Sequence, residues 1–197
     1  ILANNYYGIS LNSPNDVIAD SRGNIYFTDP LYGILPYKGE LGFSGVYRIG
    51  SDGILYLLVD DFSSPNGLCL SPSEDVLYIS DSDRNHIRAF VLLPDGNPDL
   101  TSDHVLSEMT RELPGNLDGM KVDLAGNLYC SGPGGVWILD REGTHLGTLL
   151  TGANQTTNVG WGGVDWKTLY ISTEDSLCSI RLNLPGVPVP AIMHRNV

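Results

Sequence analysis

"SPNGLCLSPSEDVLYISDS", residues 64–82, repeats a phrase the chain has already written at 13–29 as "SPNDVIADSRGNIYFTD". Two looser copies follow, "NLDGMKVDLAGNLYCSG" at 116–132 and "TTNVGWGGVDWKTLYIST" at 156–173. Each opens on a polar residue, continues through an apolar run and a turn, and closes on Tyr-x-Ser/Thr. Aligning the copies on their openings superposes Asn15, Asn66, Asp118 and Asn158, at spacings of 51, 52 and 40 residues. A tyrosine follows each of them by 11 or 12 residues, as Tyr26, Tyr78, Tyr129 and Tyr170. Self-similarity with a period of this size marks a repeat architecture.

Each copy continues alike. A third apolar segment stands at 45–50, 86–92, 135–140 and 177–182, and a fourth at 54–60, 103–108 and 145–150. Turn signals such as "SRGN", "SPSED", "LAGN" and "DREG" separate them. The segments are rich in Val, Ile, Leu and Tyr, often on consecutive positions, as suits strands covered on both faces. Four short antiparallel strands in each repeat of this length make a β-propeller blade, so the fold is all-β with about four blades. The first strand of a blade lines the central channel. The aligned Asn and Asp positions therefore gather at one height around one axis.

The 197 residues read as a single domain, 1–197. The net charge of −12 repels phosphates and argues against nucleic acid as a partner. No apolar run approaches the ~20 residues needed to span a bilayer, so no membrane partner is expected. Cys69, Cys130 and Cys178 are odd in number and far apart, and are expected to be buried free thiols. Unpaired thiols point to a cytoplasmic location. Oligomeric state is not legible.

The segments "NSPNDV", "FTDPLYG", "GFSGVYRI", "PNGLCLSPSEDVLYISDS" and "LDGMKVDLAGNLYCSGPGGVWILD" resemble the SMP-30/gluconolactonase/luciferin-regenerating-enzyme family from about residue 9 to 186. The resemblance implies a six-bladed propeller with one divalent cation in the channel. It implies that Asn66 and Asp118 ligate that cation, that Asp118 is also the general base, and that Asn15 lines the pocket and contacts the substrate. The substrate class it implies is a small gluconolactone-like lactone. Family chains carry further N-terminal sequence with a metal-ligating Glu. By that standard this chain is N-terminally truncated, with "ILANNYYG" as the outer strand of an otherwise absent blade. Animal members acting on sugar-acid lactones have Arg where this chain has Ser13.

Asn15, Asn66 and Asp118 offer oxygen alone. Hard oxygen donors favour Ca²⁺, Mn²⁺ or Mg²⁺ over Zn²⁺. Ca²⁺ is the first choice, with the other divalent ions open because the family tolerates them. His86, His104, His145 and His194 fall in outer strands or the tail and show no ligand spacing. Asn after Pro, and Asp before Gly, are also ordinary turn residues. What favours a shared site is the same chemistry at the same repeat position in three copies. Asp16 is read as a turn residue on the opposite face from Asn15. Asp29 and Asp81 read as repeated structural caps, and Trp137, Trp161 and Trp166 as blade packing. Two alternatives stand beside a lactone hydrolase: a non-catalytic calcium-binding scaffold or ligand-binding propeller, and a hydrolase of other esters or organophosphates.

Overall fold

A computed structural model of the chain describes residues 1–34 and 39–188. His194 lies outside those residues. Four antiparallel sheets follow one another along the chain. The first is β3 (Val17–Ala19), β4 (Ile25–Asp29), β5 (Ser44–Ile49) and β6 (Leu55–Phe62), and it is preceded by a hairpin of β1 (Asn5–Tyr6) and β2 (Ile9–Ser10). The second is β7 (Pro65–Leu70), β8 (Val76–Asp81), β9 (His86–Val91) and β10 (His104–Glu108). The third is β11 (Met120–Val122), β12 (Leu128–Gly132), β13 (Gly135–Leu139) and β14 (His145–Leu150). The fourth has three strands, β15 (Thr156–Gly162), β16 (Thr168–Thr173) and β17 (Leu177–Arg181). The inner strands β3, β7, β11 and β15 stand side by side in chain order, as in a propeller. No helix among the described residues is long and apolar enough to cross a membrane.

The blades adhere through apolar seams. Tyr26 and Val46 of the first blade pack with Leu68, Ile79 and Phe90 of the second. Tyr78 and Ile87 pack with Met120, Leu128 and Cys130 of the third. Tyr129 and Val136 pack with Val159, Leu169 and Ile171 of the fourth. Leu68, Ile79 and Leu128 are fully buried, and each such side chain contributes about 2 kcal/mol through removal from water. The repeat tyrosine thus has a packing role: it plugs the seam toward the next blade. Tyr170 has no following blade among the described residues and is 43% exposed, against 0% for Tyr26.

The turns that close β3–β4 and β11–β12 share one chemistry. Asp20 Oδ1 accepts from Arg22 N (3.0 Å) and Asn24 N (2.8 Å). Asp123 Oδ1 accepts from Ala125 N and Asn127 N, both at 2.9 Å. These Asx turns account for "DSRGN" and "DLAGN". In the second blade Ser71 takes that role, with Oγ accepting from Asp75 N and Val76 N. There Glu74 occupies the left-handed region with φ 58°, and its carboxylate is tied to Ser21 N and Oγ of the first blade.

Three expectations change. "ILANNYYG" is a hairpin turning at Tyr7 and Gly8, both with positive φ, rather than a lone outer strand. Its Ala3 and Tyr6 pack on the Phe27–Tyr47 cluster of the first blade. Cys69 and Cys130 are buried free thiols, but Cys178 is exposed, because it lies on β17, whose residues are all exposed. Burial pushes the Cys69 thiol up to about 12, so it is inert as a nucleophile. Asp16 is not a turn residue, for the reason that follows.

Candidate functional site

Just where the inner strands begin, each ladder carries one extra residue. Asn15 N–H donates to Thr28 O (2.9 Å) and Thr28 N–H to Asp16 O (3.1 Å). Asp118 N–H donates to Ser131 O (3.3 Å) and Ser131 N–H to Gly119 O (3.0 Å). The register breaks at the corresponding place in the other blades, between Pro65 and Leu68 and between Thr156 and Asn158. Two residues facing one is a β-bulge, a device that re-aims side chains at a strand end. Asn15-Asp16, Asn66-Gly67 and Asp118-Gly119 are the bulged pairs of the first three blades.

The bulge corrects two readings. In the fourth blade the pair is Thr157-Asn158, so the counterpart of Asn66 and Asp118 is Thr157. Asn158 matches Asp16: Asn158 Oδ1 accepts from Val159 N at 2.8 Å as Asp16 Oδ1 accepts from Val17 N at 2.9 Å. A slip of one residue in a strand alignment changes the face. A bulge suspends the strict alternation that puts Asp16 on the opposite face. Its Oδ2 instead accepts from Leu68 N of the second blade at 3.3 Å, and its charge reaches Asp118.

Gly67 lets adjacent inner strands approach. A Cβ there would overlap the carbonyl oxygen of Asp118, a backbone atom that cannot swing aside. The glycine of "PNG" therefore sets the separation between the second and third blades at the height of the site.

The structure brings the three expected residues to one opening. Asn15, Asn66 and Asp118 line a cavity of about 410 Å³ together with Tyr32, Arg111 and Gln155. Asn15 is exposed, Asp118 half-buried and Asn66 buried. Asn66 Nδ2 donates to Ser82 Oγ at 3.1 Å, while Ser82 Oγ donates to Leu117 O. These bonds fix the amide so that Oδ1 is the free end. Asn66 Oδ1 is buried and has no hydrogen-bond partner. A buried acceptor without a donor costs about 1–3 kcal/mol, and of the several such atoms among the described residues Asn66 Oδ1 is the one whose residue lines this cavity. Beside it, burial and then the charge of Asp16 push the Asp118 carboxyl up to about 6, against the Gly119 N–H and the Asn66 amide, which pull it down.

The donors fit a hard cation. They are amide and carboxylate oxygens, and one of them is a desolvated oxygen lacking a partner. Among the described residues no three His, Cys, Asp or Glu side chains gather as a metal cluster, so a nitrogen- and sulfur-rich zinc site is not what these residues offer. His86, His104 and His145 begin β9, β10 and β14, and none of them lines the cavity.

The repeat phrase does not single out Arg111, Ser82 or Gln155. Arg111 and Gln155 lie in connections whose sequence carries no repeat, and Ser82 closes the second copy at a position where the others have Pro30, Pro133 and Glu174. Arg111 donates to Asp83 O at 2.7 Å and has no ion-pair partner among the described residues. Asp29 and Asp81 are caps as expected: Asp29 Oδ2 accepts from Asn12 N, and Asp81 accepts from Ser63 N and Ser64 N, each carboxylate pinning the segment that leads into an inner strand. Trp161 packs edge-on against Tyr129 across the third seam. Trp137 stacks on His145 within its own blade.

A family model described as SMP-30/Gluconolactonase/LRE-like region matches residues 2–175. The chain is 37% identical over 195 residues to a gluconolactonase of Zymomonas mobilis, covering 94% of this chain and 55% of that protein. It therefore spans about half the length of that curated relative. A structure of a gluconolactonase from Xanthomonas campestris superposes with a TM-score of 0.78 at 33% identity, covering 93% of this chain and 60% of that one. A calcium-binding protein, regucalcin, from Agrobacterium tumefaciens shares the fold at a TM-score of 0.70 and 22% identity, covering 88% of this chain and 61% of that one. The chain belongs to the SMP-30/gluconolactonase/LRE-like family.

Proposed function

We propose that this chain carries the reactive opening of a divalent-cation-dependent lactone hydrolase acting on small gluconolactone-like substrates. Asn66 and Asp118 hold the cation, Ca²⁺ by first preference, Asp118 is the general base, and Asn15 contacts the substrate. The observation that carries the reading is the partnerless, buried Oδ1 of Asn66 beside a carboxylate with a raised pKa, at one cavity. Relatives that act as gluconolactonases share a third of the sequence, and the calcium-binding neighbour has this fold.

A cation bound there supplies Lewis-acid polarisation of the lactone carbonyl. The residues do the rest. Asp118 takes a proton from water as the oxygen of that water adds to the carbonyl carbon. The ring C–O bond then breaks, and the leaving alkoxide recovers the proton from Asp118, giving the open hydroxy acid. In the cation-free chain the carboxyl sits at about 6 and is ionised at neutral pH, the form in which a carboxylate can accept the proton. The exposed Asn15 amide and the Arg111 guanidinium at the rim offer donors to substrate hydroxyls.

Asp118→Asn tests the assignment. Turnover of gluconolactone, followed by acid release at constant pH, should fall by about 10²–10⁴-fold while the melting temperature changes little. Wild-type turnover in that variant would remove Asp118 as the base. Tight cation binding by the wild-type chain with no lactone opening would favour the non-catalytic propeller.

A further inference from the structure

The repeat phrase ends on Tyr-x-Ser/Thr, and the hydroxyl in it has no part in lactone chemistry. Resting on the site assignment above, we propose that Thr28 and Ser80 are positioning residues. Each fixes the cation-facing residue of the blade that follows its own.

The contacts form a series. Thr28 Oγ1, in the first blade, donates to Asn66 O at 2.8 Å. Ser80 Oγ, in the second, lies 3.2 Å from Asp118 O and 3.3 Å from Gly67 O of its own blade. Ser131 Oγ, in the third, repeats the pattern with Thr157 O at 3.4 Å and Gly119 O at 3.1 Å. All three side chains are 0% exposed. They stand at one repeat position, two residues after Tyr26, Tyr78 and Tyr129. Ser172, the fourth member, has no following blade among the described residues and bonds within its own blade, to Asn158 O and Thr157 Oγ1.

The carbonyls so held belong to the bulged residues themselves. A bulge leaves the peptide planes around it outside the regular ladder, free to rotate by more than a paired residue can. Rotating that plane swings the Cα–Cβ bond with it. A buried hydroxyl on the neighbouring blade pins the carbonyl and therefore the direction in which Asn66 or Asp118 points. A second restraint acts on the same bulge in the second blade, where Asp16 Oδ2 accepts from Leu68 N. The first blade thus grips the Asn66 bulge on both sides, and Asp16 N–H in turn donates to Thr28 Oγ1 at 3.2 Å. The network joins consecutive blades at the height of the cavity.

Ser172 provides an internal control. It stands at the same repeat position, but its hydroxyl bonds Asn158 O and Thr157 Oγ1 of its own blade and holds no cation-facing residue. Stability and positioning therefore separate. The experiment measures Mn²⁺ affinity by calorimetry, together with the melting temperature, in the full chain carrying Ser80→Ala, Ser80→Thr, Thr28→Val, Thr28→Ser, Ser172→Ala or Asp118→Asn. Ser80→Ala and Thr28→Val should each weaken Mn²⁺ binding about tenfold, the equivalent of one lost hydrogen bond. Ser80→Thr and Thr28→Ser, which keep the donor, should restore it. Ser172→Ala should lower the melting temperature with less than about a twofold change in affinity. Equal affinity in Ser80→Ala and wild type, while Asp118→Asn loses Mn²⁺, would overturn the role of the hydroxyls alone. Unchanged affinity in Asp118→Asn would overturn the site assignment and this proposal with it. Equal losses of affinity in Ser80→Ala and Ser172→Ala would reduce the hydroxyls to general stabilisers and also overturn it.

Discussion

The same four inner strands behave differently at their two ends. Where they begin, every blade is bulged, the side chains are polar, and Asn66 keeps a buried oxygen without a partner. Where they end, Ala19, Leu70, Val122 and Trp161 line an apolar cavity, and Asx turns, with Ser71 in the second blade, close the first three hairpins. Residues 185–187 seal part of that end: Leu124 N donates to Pro185 O at 2.9 Å and Gly186 N to Trp166 O at 2.8 Å. One end of the blade is regular in its pairing, although Trp161 Nε1 there is buried without a partner. The other departs from regular pairing and leaves an oxygen acceptor open at a cavity. Strained or unsatisfied groups persist only where surrounding structure holds them, and here the seams and the regular end provide that support.

Beyond the loss of turnover expected for Asp118→Asn, the sharpest way to break this contrast is to damage the regular end and look for an effect at the other. Leu128 is fully buried and opens β12 opposite Val122. Leu128→Ala should cost about 2–5 kcal/mol of stability in chemical denaturation and leave Mn²⁺ affinity of the folded protein unchanged. An affinity loss there would show that the two ends are not independent. Gly67→Ala probes the bulged end itself. A methyl group against the Asp118 carbonyl should cost about 1–3 kcal/mol, and it should also weaken cation binding because the displaced backbone carries Asp118.

A smaller effect concerns pH. In the cation-free fold the Asp118 carboxyl is pushed up, so its ionised form is lost as pH falls through about 6. Mn²⁺ must displace that proton to use the carboxylate, so cation affinity should decline on that acid limb. For the stability of the cation-free fold the sign runs the other way. A raised carboxyl pKa adds stability that is fully present below the unfolded value near 4 and is lost as pH rises through about 6. Asp16→Asn removes the neighbouring charge and should move the acid limb to lower pH. A limb that stays in place would assign the raised pKa to burial alone.

Much of this was legible before any coordinates. The repeat phrase placed four blades, their strands and the meeting of Asn15, Asn66 and Asp118, because strand pattern and turn chemistry are local properties. What failed was also local in origin. Alternation put Asp16 on the wrong face and selected Asn158 over Thr157, since neither rule contains a bulge, and a bulge shows only when two strands are seen paired. Arg111 and Gln155 escaped because tertiary structure alone brings those connections to the cavity. The hydroxyls of Thr28 and Ser80 were visible as part of the phrase, but the carbonyls they hold lie 38 residues away in each case. The repeat spaces donors and acceptors alike, but the sequence does not show which of them face each other across a seam.

Diffraction from crystals soaked in Mn²⁺, with the anomalous signal of the ion, bears most directly on the convergence of the bulged strands. One peak should lie within about 2.6 Å of both Asn66 Oδ1 and an Asp118 carboxylate oxygen. A peak elsewhere, or an ion that touches one of these residues and not the other, would contradict a shared cation site at this opening.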